Sequence, residues 1–349
     1  MSKTPKVAVV ILNWNGKKWL EKFLPSVIET NYNTLEIVVA DNASTDDSLA
    51  FLNENYPEIT QIVLEKNWGF ADGYNKALEK VEADYFVLLN SDVEVKEDWI
   101  SPIIDQMEKD ASIGAAQPKI RDQKQKELFE YAGASGGFLD FLGYSFCRGR
   151  LFDDLEIDEG QYNDPIEICW ATGAALFIRA ELYHSIGGLD GDFFAHFEEI
   201  DLCWRIRRAG YKIMVFPDSV VYHYGGGTLA TSSPRKTYLN YRNNLLMILK
   251  NETGSKLLGI LFIRLNLDVI SSFKLLLDGE MKKFLAVYKA VFAFLFNFIK
   301  WYKKRQEMNK VINEIRIGSV RSEMIYSKSV VWQYFKNGVK IFNQLPDSK

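Results

Sequence analysis

From Lys6 to about Asp92 the chain alternates short apolar runs with helical segments. Val7 to Leu12, Leu35 to Ala40, Ile62 to Leu64 and Tyr85 to Leu89 are the runs, each too short for a helix and each followed by polar residues. Runs of this kind, separated by helical intervals, predict parallel strands covered on both faces. Ala174 to Ile178 and Lys212 to Phe216 read as two further strands. The expected class is α/β, a Rossmann-like and mostly parallel sheet flanked by helices. Ser44 followed by Asp47 resembles a capping box and predicts a helix start after the second strand. Leu202 to Ala209 predicts an amphipathic helix that the acidic run Glu198, Glu199, Asp201 precedes, and acids at a helix start are favourable through the dipole alone. The Gly-rich, aromatic stretch from about Arg121 to Asp164 reads as irregular.

In sheets of this class ligands gather at the carboxyl ends of the strands. Three polar clusters fall there: Asn13 to Gly16, Asp41 to Ser44, and Asn90 to Asp92. Each has a plain structural reading, because Asp and Asn readily bond their own turns. His223 sits just past a β-branched run, where a lone histidine is more often structural than functional. Two other classes fit poorly. A nicotinamide oxidoreductase needs a Gly-rich turn after the first strand, and Asn13-Trp14-Asn15-Gly16-Lys17 is not one. No helix-turn-helix or zinc finger supports a nucleic-acid binder.

Charge changes the picture of the C-terminal third. The chain has 349 residues and a net charge of −4, yet from Lys236 onward there are 20 Lys+Arg against 8 Asp+Glu, leaving 22 against 38 before it. Such asymmetry suggests that the basic part meets an anionic surface. Leu257 to Leu277 is apolar but interrupted by Arg264, Asp268 and Lys274, and Phe284 to Tyr302 by Lys289, Asn297 and Lys300. A spanning helix wants about 20 nearly uninterrupted apolar residues. The segments therefore predict helices lying at a membrane interface, with Phe292, Phe294, Leu295, Phe296 and Phe298 inserting. The competing reading is helices packed on the rest of the protein. The expected division is 1–235 for a catalytic domain and 236–349 for a basic, helical, membrane-associating region. Three dispersed cysteines suit a reducing compartment, and the N-terminal residues lack a signal-peptide pattern. The expected location is cytoplasmic, peripheral at the inner face of the plasma membrane.

The segments VVILNWNG, VVADNASTDDS, NWGFADGYNKAL, YFVLLNSDV, WATGAALFIR, GGLDGDFFAHFEEIDLCWRIRRAGYK and VVYHYGGGT follow one another over about the first 230 residues. In content and order they resemble the family 2 glycosyltransferases, in particular rhamnosyltransferase-like members. The resemblance implies a GT-A type fold, a nucleotide-sugar donor, a divalent metal (Mn²⁺ or Mg²⁺) and inversion at the anomeric carbon. It places Asp41 on the pyrimidine ring, with Asn13, Asn15, Asn75 and Asn90 also on the nucleotide sugar. Asp92 and His223 become metal ligands, Asn90 standing where the family's motif has a first carboxylate. Glu199 becomes the general base, with Glu198 and Asp201 as neighbours able to take that role or contact the acceptor. Trp170, Thr172 and Gly173 offer an acceptor surface, or close backbone packing. His184 and His196 fall outside the site, as do Arg148 and Arg150, which either meet acceptor phosphate or cover acidic neighbours. The implied donor is a UDP- or dTDP-sugar, dTDP-rhamnose first, and the acceptor a lipid-linked or polysaccharide hydroxyl in cell-surface glycan synthesis. The alternative is an inactive, membrane-associated module that binds glycan or nucleotide sugar.

Overall fold

The computed structural model describes residues 4–225, 233–321 and 324–347. Four parallel strands, β1 (Val7–Asn13), β2 (Leu35–Asp41), β3 (Thr60–Val63) and β4 (Tyr85–Leu89), are linked by α1 (Lys17–Ile28), α2 (Ser48–Asn55) and α3 (Gly69–Leu78). There follow β5 (Val93–Val95), α4 (Ser101–Lys109) and β6 (Ile113–Asp122). Next come four short strands, β7 (Gly137–Asp140), β8 (Ser145–Cys147), β9 (Arg150–Leu151) and β10 (Asp154–Leu155). The chain returns through β11 (Ile166–Glu167), β12 (Ala175–Arg179), α5 (Ala180–Ser185), α6 (Glu198–Arg208) and β13 (Lys212–His223). Among the described residues the main sheet runs β11-β13-β6-β12-β4-β1-β2-β3, with β5 added to β13.

Alternation within β1 feeds two cores. Val7, Val9 and Ile11 face one, while Ala8 and Val10 face the other, as a doubly covered strand requires. Register does the positioning. Asn13 lies level with Asp41, so the first two polar clusters are neighbours at one end of the sheet. β5 runs antiparallel to β13 with His223 opposite Val93, which brings His223 beside Asp92 across a sequence gap of 131 residues. The strand predicted over Lys212 to Phe216 continues to His223 as the long β13.

The Gly-rich stretch is not irregular. β7 to β10 form a second sheet of order β10-β9-β8-β7-β14, completed by β14 (Ile325–Tyr326) from near the other end of the chain. Gly143 and Gly149, at φ 76 and 113, make the turns between its strands. The helix predicted from Ser44 begins later, at Ser48. Ser44 is drawn into the strand-end turn, its hydroxyl accepting from Asn15 N at 2.9 Å and its N–H donating to Asp41 Oδ1 at 2.8 Å.

The C-terminal region is helical: α7 (Pro234–Asn251), α8 (Leu257–Leu277), α9 (Met281–Phe296), α10 (Phe298–Glu314) and the short α11 (Val330–Phe335). It shares one hydrophobic core with the sheet, Leu245, Leu249, Ile260, Phe294, Trp301 and Val330 joining residues such as Phe193 and Trp204. The expected insertion of Phe294 is therefore corrected: it is buried against Trp301, ring centroids 5.6 Å apart. α8 is inverted relative to a solvated helix. Two of its ionic residues point inward, Arg264 pairing with Asp268 at 3.1 Å and donating to Leu142 O at 2.8 Å, while Lys274 is exposed. Its outward face carries Leu258, Phe262, Ile270, Phe273 and Leu277, the last 87% exposed. Among the described residues no single helix is long and apolar enough to cross a membrane. α9 and α10 reach that length together only across a 63° bend.

Candidate functional site

The first wall of the site is built from turns. Asp41 is fully buried at the end of β2, and its two carboxylate oxygens accept from Ser44 N and from Asn13 Nδ2, the latter at 3.0 Å. An ionised carboxylate has about four acceptor sites, so two contacts leave capacity for a ring N–H. Asn13 is oriented by the acceptors of its Nδ2, Asp41 Oδ2 and Ser44 Oγ at 3.2 Å, and its Oδ1 is buried without a partner. Gly16 permits this, since a β-carbon there would lie 2.3 Å from that oxygen. Asn15, at φ 51, accepts from Thr45 N at 2.7 Å and from Asp46 N, tying the first strand-end loop to the second. Asn75 does not join this wall. Its Oδ1 accepts from Tyr183 Oη at 2.7 Å and Leu189 N at 3.0 Å, while Nδ2 donates to Leu189 O. The amide is committed to holding the loop after α5, which corrects its assignment to the nucleotide.

The second wall is ionic. His223 Nε2 lies 3.2 Å from Asp92 Oδ1 and 3.4 Å from the Asn90 side-chain amide, so two groups converge on one nitrogen. On its other edge Glu130 Oε1 stands 3.1 Å from Nδ1, near enough for ion pairing though off the hydrogen-bond line. Burial alone would keep the imidazole neutral. The Glu130 and Asp92 carboxylates outweigh it and push the pKa up to about 10. A buried place that draws a positive charge onto a histidine between two carboxylates suits a cation in place of that proton. Asp92 Oδ1, His223 Nε2 and the Asn90 amide are the groups that would hold it, and O and N donors of this kind suit Mn²⁺. Among the described residues no three His, Cys, Asp or Glu side chains form a closed metal cage. A cation held there would need further oxygen ligands, such as diphosphate and water. Glu130 was invisible in the sequence, since LFEYAG carries no motif and lies 93 residues from His223. The Gly226 to Thr228 part of the histidine motif lies outside the described residues.

The acidic helix start forms the third wall. Glu198 and Glu199 occupy the first turn of α6, inside the helix predicted to begin after them. Each has a carboxylate oxygen, Oε2, buried without a partner. Burial pushes Glu199 up to about 7. Burial, and then the neighbouring Glu199 charge, push Glu198 well above the carboxylate range. Two neighbouring carboxyls whose hold on the proton is strengthened by burial make an environment that acid–base catalysis can use. Gly173 connects this wall to the ionic one. A β-carbon on it would meet Phe70 at 3.3 Å and the Glu199 β-carbon at 3.8 Å, and the next residue's carbonyl accepts from Asn90 N at 3.0 Å.

Three neighbours serve structure instead. Asp201 is fully buried, paired with Lys250 at 2.8 Å and Arg205 at 2.9 Å, so it is neither base nor acceptor contact. Trp170 packs its ring under Gly137 and donates its indole N–H to Phe138 O at 2.9 Å. Thr172 donates its N–H to Gln117 Oε1 at 2.9 Å, and its hydroxyl accepts from Ala174 N at 3.2 Å. Their assignment to an acceptor surface is corrected: both are buried with their polar atoms used internally. Arg148 covers an acidic neighbour, Asp164, at 3.0 Å. His196 is half-buried, held down to about 4 by desolvation and Lys236, and His184 packs edge-on against Phe86.

A mostly parallel sheet with a carboxylate at its second strand end, and an Asn-Ser-Asp turn that meets a histidine across the sheet, define a glycosyltransferase of GT-A type. Residues 8–174 match the sequence model of glycosyl transferase family 2, and the chain carries a domain of that family. It is 22% identical over 267 residues to the N-acetylglucosaminyl-diphospho-decaprenol L-rhamnosyltransferase of Mycobacterium tuberculosis, covering 72% of this chain and 86% of that one. In fold it is similar to GalNAc-T7 solved with UDP, GalNAc and Mn²⁺, at TM-score 0.55 and 18% identity, over 72% of this chain and 48% of that one. It thus spans about half the length of that protein. A mannosyltransferase of Pyrobaculum calidifontis, solved with GDP-Man and Mn²⁺, superposes at TM-score 0.51 and 15% identity, over 90% of this chain and 86% of that one.

Proposed function

We propose that the protein transfers a sugar, with inversion, from a UDP- or dTDP-sugar to a hydroxyl of a lipid-linked or polysaccharide acceptor. dTDP-rhamnose is the first donor to try, supported by the mycobacterial relative's name. The observation that carries this reading is the convergence of Asn90, Asp92 and His223 at the strand ends, one glycine away from Glu199, whose Oε2 is buried without a partner. Asp41 and Asn13 hold the base and ribose, and Asn15 keeps their loops together. Asp92 and His223 hold the divalent cation, which when bound offsets charge on the leaving diphosphate as a Lewis acid. Glu199 takes the proton from the acceptor hydroxyl, which attacks from the face opposite the diphosphate. Glu198, kept neutral, adds no second charge to repel that proton's acceptor.

The same reading places the C-terminal helices on the inner face of the plasma membrane. The outward apolar face of α8 and α9 is bordered by exposed Lys256, Lys274, Lys282 and Lys289, which complement anionic headgroups. Such a seat puts a lipid-linked acceptor beside the site.

Thermal denaturation with a panel of nucleotide sugars tests the donor and the metal together, because a ligand that binds only the folded state raises Tm. Wild-type protein should be stabilised by its donor far more with Mn²⁺ than without. Asp92→Ala and His223→Ala should fold and lose the Mn²⁺-dependent increment. Variants that keep it would refute the metal assignment.

A further inference from the structure

The loop that delivers Glu198 and Glu199 holds a conformation it cannot keep alone. Phe194, His196 and Phe197 have φ of 64, 70 and 71, in the left-handed region that residues with a β-carbon avoid. The fold brings three carbonyls of this loop toward one point, and a single side chain from the C-terminal region fills it. Asn243 on α7 is fully buried, and its Nδ2 donates to Phe193 O at 3.0 Å, Ala195 O at 2.9 Å and His196 O at 2.7 Å. One amide has two N–H bonds, so at least one of them is shared. Its other end is fixed as well: Oδ1 accepts from Arg242 Nε at 2.9 Å and Nη2 at 2.6 Å, leaving only the nitrogen to face the loop. Arg242 Nη2 also donates to Asp192 O at 2.6 Å. From the far side Phe70 N donates to Phe194 O at 2.8 Å. Nothing in the sequence marked this residue, which stands in the helical segment YLNYRNNLL.

We propose that Asn243 is a positioning residue for the reaction: its amide locks the left-handed loop 193–197 and so aims Glu199 at the acceptor hydroxyl. The inference rests on Glu199 being the base. A general base works only within hydrogen-bond reach of the proton it removes. A helix start that swings by a fraction of its own width loses that reach. α7 is thereby part of the catalytic apparatus, and removal of the C-terminal region would disarm the site even with every residue of the first 235 intact.

Two measurements on full-length protein decide the proposal. Hydrogen exchange needs no substrate. Asn243→Ala should speed exchange of amides in residues 190–201 by at least about 10-fold while residues 35–44 stay as in wild type. The second is a double-mutant cycle on release of nucleoside diphosphate with the donor found by the thermal panel. Asn243→Ala should lower kcat by roughly 10²-fold with donor KM within about 2-fold. In the Glu199→Gln background the same change should cost almost nothing more, because its effect passes through the missing base. If the alanine variant does not fold, Asn243→Ser, which keeps one donor, is carried through the same cycle. Unchanged loop exchange, or an equal fold-loss in both backgrounds, would overturn the proposal. Glu199→Gln that turns over as well as wild type sinks the base assignment instead, and the exchange result then still reports whether Asn243 holds the loop.

Discussion

At Glu199, the proposed base, function and stability oppose each other. Its ordinary pKa of 4.5 rises to about 7 in the fold because burial disfavours the charged form. The folded protein thus keeps this proton over a range in which the unfolded chain has released it. That contribution to stability is full below pH 4.5 and is lost as pH rises through about 7. Glu199→Gln cannot ionise, so its Tm advantage over wild type should be larger at about pH 8 than at about pH 5. Equal differences at both would show that the carboxyl is not held in the apolar environment described. At this scale the sequence was legible for where Asp41, Asp92, His223 and Glu199 stand, at two strand ends, a strand terminus and a helix start. It misled for Asn75, Asp201, Trp170 and Thr172, because motif membership does not say which partner a side chain has already taken. Asn75 has Leu189 and Tyr183, and Asp201 has Lys250 and Arg205. Glu130 and Asn243 were silent because their partners lie far away in sequence.

Among the elements, α7 and α6 are joined by a buried ionic knot. Lys250 lies fully buried between Asp190 at 2.5 Å and Asp201 at 2.8 Å, and Lys304 of α10 pairs with Asp190 and Asp192. Burial would raise the Asp190 carboxyl, but the Lys250 and Lys304 charges hold it well below the usual range. Removing one partner of a buried pair leaves an uncompensated charge, at about 3–5 kcal/mol. Lys250→Met should therefore lower stability by about that much in denaturant unfolding, and an unchanged midpoint would show that the knot is dispensable. The parallel strands were legible because doubly buried strands are apolar throughout. The second sheet was not, since strands of two to four residues are too short for alternation to show, and its fifth strand arrives from residue 325. The ionic residues of α8 were read as interruptions of an apolar helix. Arg264 and Asp268 lie on its inward face beside Leu257, Ile260 and Leu261, while Leu258, Phe262 and Leu277 are exposed with Lys274.

For the whole molecule, that inversion makes the membrane seat testable. The full-length protein should co-sediment with anionic vesicles, bind neutral ones less, and lose part of its binding as salt rises, because attraction between exposed charges is screened. Apolar insertion is not screened, so a fraction should survive high salt. Phe262→Asp with Leu277→Asp, two outward positions 70% and 87% exposed, should abolish that fraction and leave the fold intact. Full-length protein that ignores anionic vesicles at low salt would end the membrane reading without touching the chemistry. The chemistry itself is tested most directly by the turnover of Glu199→Gln at saturating donor and Mn²⁺. Glutamine keeps the shape of the side chain and removes only the proton acceptor, while the groups proposed to hold the nucleotide and the cation stay in place. The account predicts a fall of at least about 10²-fold with donor affinity unchanged; turnover equal to wild type would contradict it.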